Sequence, residues 1–114
     1  MQITIRNTNS DDIKVITLKE SESFQKIFEK LKEAKGPIEV NIFFINEKIN
    51  ISQFAKFKSF IEQLNIKSLN IFSNKREVIL AGKSLKIDST LADEKDMKSK
   101  LFFATKEKPN DILY

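Results

Sequence analysis

An α+β fold, a mixed sheet packed on a helix, follows from three patterns in the 114 residues. The chain opens with two segments of period-two alternation separated by a polar turn. An apolar stripe of helical period comes next and stops at Gly36-Pro37. A further alternating run, Ile38 to Ile45, begins directly afterwards. Periods of two and of 3.6 residues in one short chain place strands and helices around a shared core.

The elements follow in order. Ile3 and Ile5 share one face of residues 1–7, with Gln2, Thr4 and Arg6 on the other, which predicts a strand. Residues 7–12 (Asn-Thr-Asn-Ser-Asp-Asp) are a turn cluster, and 13–19 give a second strand, so the two form a hairpin. Phe24, Ile27, Phe28, Leu31 and Ala34 then form one helical stripe, capped by Ser21 or Ser23. Gly36 suits the left-handed closing position of that helix, and Pro37 cannot continue it. Residues 38–45 read as a strand. A second helix, capped by Asn50 or Ser52, carries Phe54, Phe57, Ile61 and Leu64 on its stripe. A strand-like run over 68–72 follows. Residues 76–81 (Arg-Glu-Val-Ile-Leu-Ala) predict another strand, broken by Gly82, with a short strand over 85–87. Residues 88–99 read as irregular and pinned by Leu91 and Met97, and 101–104 (Leu-Phe-Phe-Ala) as the last strand.

Composition narrows the function. The chain contains neither Cys nor His. That removes disulfides, thiol nucleophiles, the usual general base and the Cys/His zinc sites, so no metal, no cofactor and no enzyme activity is expected. Net charge is +4, spread as +1, +2 and +1 over 1–38, 39–75 and 76–114. An even spread does not make the one-sided basic footprint of a nucleic-acid binder. Lys95, Lys98 and Lys100 alternate with Glu94 and Asp96 and read as a solvated face. No apolar run is long enough to span a membrane, and the opening lacks the apolar stretch of a signal peptide. The expectation is an intracellular, cytoplasmic protein, with organellar or cytoskeletal association open. Gly82-Lys83-Ser84 is not a phosphate-binding loop, because position 77, where the first glycine would stand, is Glu. Asp11/Asp12 and Asp93/Glu94/Asp96 fall in polar segments and read as solvated loops rather than paired catalytic carboxylates.

Several segments together resemble ubiquitin. Met1-Gln2-Ile3 resembles its opening strand, and 16–31 its second strand and long helix. Gly36-Pro37 is similar to its helix exit. Val78-Ile79-Leu80-Ala81-Gly82-Lys83-Ser84-Leu85 resembles a strand–turn–strand of the family, Thr90-Leu91-Ala92-Asp93 a Thr-Leu-Ser-Asp stretch, and 101–104 the final strand. The resemblance covers 1–37 and 76–105. It implies a ubiquitin-like β-grasp domain over 1–105, with a strand–helix–strand insert at 38–75 and a tail at 106–114. Departures are that insert, a shortened segment between Asp93 and Leu101, and the absence of any Gly after Gly82. Without a terminal di-glycine, conjugation to substrates is not expected.

The same resemblance implies a recognition patch. If Val78 and Leu80 point inward, alternation turns Ile79 outward; if Leu101 and Phe103 point inward, Phe102 and Ala104 turn outward. Ile79, Phe102 and Ala104 are thus expected to form an exposed apolar patch unless the insert covers it. Phe102 stands where ubiquitin has a His. Lys83 matches a chain-linking lysine of the family, and is equally an exposed turn lysine. Ile112, Leu113 and Tyr114 end the chain as an apolar segment suited to a partner's surface.

The leading expectation is a non-enzymatic, non-conjugated ubiquitin-like module that binds protein partners, as a subunit or adaptor of a larger assembly. One alternative is a constitutive scaffold subunit of a cytoskeletal or organellar complex. Another is an unrelated α/β interaction domain, similar to the N-terminal domain of bacterial septum inhibitors, in which 38–73 forms the main sheet. Strand order separates these readings. A β-grasp places the first and last strands side by side and parallel at the centre of the sheet.

Overall fold

The computed structural model describes residues 1–7, 13–17 and 37–106. The stripe from Phe24 to Ala34 and the tail residues Ile112, Leu113 and Tyr114 lie outside the described residues, as do the side chains of 13–17, Gln53 and 103–106.

Five strands form one mixed sheet in the order β2-β1-β3-β4-β5. They are β1 (Gln2–Asn7), β2 (Ile13–Thr17), β3 (Ile38–Phe44), β4 (Ile66–Ser73) and β5 (Asp88–Leu91). β1 runs antiparallel to both neighbours, in registers that pair Ile3 with Ile16 and with Ile42. β3, β4 and β5 are mutually parallel. A parallel neighbour needs a long crossover, most often a helix. Accordingly α1 (Ile51–Ile61) joins β3 to β4, and α2 (Arg76–Ser84) joins β4 to β5. α3 (Glu94–Lys106) follows β5.

Alternation along the strands separates two cores. Ile3, Ile5, Val40, Ile42, Phe44 and Ile71 face Phe54, Phe57 and Ile61 of α1 and Val78 of α2. Phe54 sits edge-on to Phe44, centroids 5.9 Å apart, and 5.4 Å from Phe57. On the opposite face Phe43 stacks on Phe72 at 5.1 Å, and Met97 and Leu101 of α3 close over them. Lys100 lays its ammonium 5.4 Å from the centre of the Phe72 ring, a cation–π contact. Each fully buried aliphatic or aromatic side chain contributes about 1.5–3 kcal/mol relative to exposure. The apolar sheet positions are therefore sufficient to fix both the register and the side on which each helix packs.

The strand order overturns the β-grasp. β1 lies between β2 and β3, and 101–104 belong to helix α3 rather than to a strand beside β1. Residues 38–75, expected as an insert, supply β3 and β4, the third and fourth strands of the five, which carry much of the core. Residues 76–81 form the helix α2 instead of a strand. In a helix, Val78, Ile79, Gly82 and Leu85 fall on one side, and the Val-Ile-Leu-Ala run satisfies that period as readily as period two. The expected alternation fails with it: Val78 and Ile79 are both buried and Leu80 is 61% exposed. Gly82 interrupts no strand. It is buried in α2, where a Cβ would collide with Ser89 Oγ of β5 and stand 3.1 Å from Ile71 Cδ1. The glycine lets the helix lie close against the sheet.

Candidate functional site

Asp93 and Glu94 begin α3, where the backbone leaves β5. The backbone N–H of Asp96 donates to Asp93 Oδ1 at 2.7 Å, which makes Asp93 the helix cap. Glu94 and Asp96 in the first turn complement the positive end of the helix dipole. The acidic segment expected to be a solvated loop is thus a helix start. From there α3 turns Met97 and Leu101 inward, and the adjacent line of Glu94, Lys95, Lys98 and Phe102 faces outward.

That outer face borders an open depression of about 690 Å³, lined by Asp93, Glu94, Lys95, Lys98, Ser99 and Phe102. Phe102 is 58% exposed. Lys98 Nζ lies 2.8 Å from Glu94 Oε1, one turn away. The Lys98 hydrogen bond, then a hydrogen bond to the Asn46 side chain, holds the Glu94 carboxyl below its ordinary range. Asn46 is bonded in turn to Asn74, so the start of α3 connects to the C-terminal ends of β3 and β4. In parallel sheets this end is where ligands most often gather.

Chemically the face offers two cations, two carboxylates and an exposed aromatic ring around an open surface. Aromatic side chains flanked by lysine aliphatic stems suit protein recognition, where a few large residues carry most of the energy. Among the described residues no group of three or more His, Cys, Asp or Glu is placed to hold a metal ion, and no helix is long and apolar enough to cross a membrane.

The structure separates the residues expected to form one patch. Phe102 is exposed on α3, whereas Ile79 is 7% exposed on the buried side of α2, so the two do not share a surface. Ala104 lies in α3, with its side chain outside the described residues. Lys83 is exposed near the end of α2, in a helix rather than a turn. Lys95, Lys98 and Ser99 were not anticipated as companions of Phe102. The signal was present in Met97 and Leu101: a spacing of four puts both on one helical face and aligns Lys98 with Phe102 beside it.

No known family profile matches the chain, and no solved structure matches it. All 114 residues align at 39% identity with a curated relative, a probable septum site-determining protein MinC of Prochlorococcus marinus subsp. pastoris. The chain spans 52% of that relative's length. The likeness runs through 38–75 as well as the flanks, and the relative is named a septum-site protein, not a ubiquitin-like one. The reading as a ubiquitin-like module is corrected on both grounds, strand order and relatedness.

Proposed function

We propose that this chain is a protein-binding domain that takes part in placing the division septum, acting by recognition and without chemistry of its own. The observation that carries the reading is the 39% identity to a probable septum site-determining protein, over an alignment that covers all 114 residues. A residue set without Cys or His supports a binding role over an enzymatic one. The outer face of α3 supplies the contact: Phe102 as the apolar anchor, with Lys95 and Lys98 beside it. Lys83 on α2 is exposed on another helix and serves as a comparison.

Replacing the chromosomal copy in the native host tests the proposal. Phe102→Ala and Lys95→Glu together are expected to displace septa from their normal position, while Lys83→Ala leaves them in place. Normally placed septa in cells lacking the whole gene would remove the septum reading. Misplaced septa in those cells, with normal septa in the double variant, would remove only the α3 face.

A further inference from the structure

β5 pairs with β4 only from Asn70 to Ser73. The first part of β4, Ile66 to Leu69, therefore has no strand partner on that side among the described residues. Beside this open edge lies a groove of about 380 Å³, distinct from the face of α3. Its apolar wall is Ile61, Leu64, Leu69 and Ile87. Lys86 follows α2 with φ 61, and the chain then enters β5 at Asp88, whose partner on β4 is Asn70.

Ile66 N–H donates to Leu64 O at 3.0 Å, so the open edge is Lys67–Leu69, and an edge without a paired strand alongside an apolar groove is the geometry of strand addition. Main-chain bonds supply affinity, and alternate side chains enter the groove. Charge selects the occupant. Lys58 at the rim is paired with Glu62 at 3.3 Å. Lys67 and Lys86 line the same rim without an ion-pair partner among the described residues, against Asp88 alone. A second copy of this chain adding antiparallel at this edge would bring Lys67 near its own counterpart, which disfavours self-pairing.

We infer that the open edge of β4 is a docking site for an extended segment of a partner protein that alternates apolar and acidic residues. The segment adds as a short strand along Lys67–Leu69, with its apolar side chains on Leu64, Leu69 and Ile87 and its carboxylates near Lys67 and Lys86. This surface stands apart from α3 and does not depend on the septum reading.

The test uses the isotope-labelled 114-residue chain titrated with the capped peptide Glu-Val-Glu-Val-Glu-Val. Saturable binding is expected, with amide exchange slowed within Lys67–Leu69. Lys67→Glu with Lys86→Glu, both exposed, is expected to weaken binding about tenfold. A peptide of the same sequence N-methylated at every residue, unable to donate main-chain bonds from within the strand, is expected not to bind. Three outcomes overturn the inference: equal binding of the N-methylated peptide, shifts centred away from β4, or protection of Lys67–Leu69 that arises from self-association without peptide.

Discussion

Asn46 and Asn74 tie the ends of the two central parallel strands together by a reciprocal pair of bonds. The backbone N–H of Asn46 donates to Asn74 Oδ1 at 2.9 Å, and Asn74 Nδ2 donates to Asn46 Oδ1 at 2.6 Å. Asn46 does this in the left-handed region, with φ 56, where asparagine is tolerated far better than most residues. Asn74 follows β4 directly and Asn46 lies two residues beyond the end of β3, so the pair marks where both strands stop.

Asn74→Ala removes both bonds and is expected to destabilise the fold by about 1 kcal/mol, the usual net worth of exposed or half-exposed hydrogen bonds. Asn46→Ala adds the cost of left-handed backbone and is expected to be about 1 kcal/mol worse than Asn46→Gly. Urea denaturation midpoints of the three variants measure both differences. Equal stability of the Ala and Gly variants at position 46 would contradict the backbone assignment.

At Gly82, an added methyl meets Ser89 and Ile71 rather than open space. Gly82→Ala is expected to cost about 1–3 kcal/mol by overpacking, despite the higher helix propensity of alanine. Ser89→Gly in the same background removes the nearest atoms and is expected to recover part of the loss. A double-mutant cycle read by thermal unfolding checks the coupling.

The close of α2 predicts a gain. Ile87 N–H bonds back to Gly82 O at 3.0 Å and Lys86 N–H to Lys83 O at 3.0 Å, the paired bonds of a glycine-type helix stop. Lys86 occupies its left-handed position with φ 61. Lys86→Gly is expected to stabilise the fold by about 0.5–1 kcal/mol, offset in part by the added freedom of the unfolded chain. Chemical denaturation with an unchanged m-value is the measurement.

Glu94 carries a pH signature. Its carboxyl is lowered from an ordinary 4.5, first by the Lys98 hydrogen bond, then by Asn46. A folded value below the unfolded one means that the contribution is present above the ordinary value and is lost as pH falls through the folded value. Carbon-detected titration is expected to place the Glu94 midpoint below that of the denatured chain, and Lys98→Ala to bring it back toward 4.5. An unshifted midpoint in the unaltered chain rules out the Lys98 bond in solution.

Much of the sheet is written in local pattern. Ile3 and Ile5, then Ile38, Val40, Ile42 and Phe44, alternate cleanly because one face of their strands is buried, and Phe54, Phe57 and Ile61 repeat at helical spacing because α1 packs by one stripe. Those periods are properties of single segments, so they survive reading without a structure. The last third does not decide locally. Val78-Ile79-Leu80-Ala81 and Leu101-Phe102-Phe103-Ala104 are short apolar runs that suit a strand or a helix equally. Each became helical for a nonlocal reason. β4 and β5 are parallel, which requires a crossover between them, and Phe43 with Phe72 left an apolar face that α3 covers. The resemblance to ubiquitin drew in part on those ambiguous runs. Amino-acid order alone thus determined an α+β chain lacking cysteine and histidine. Tertiary structure decided that Ile79 is core, that Phe102 is surface, and that the middle of the chain is the heart of the sheet, because strand pairing is fixed by contacts between residues far apart in sequence.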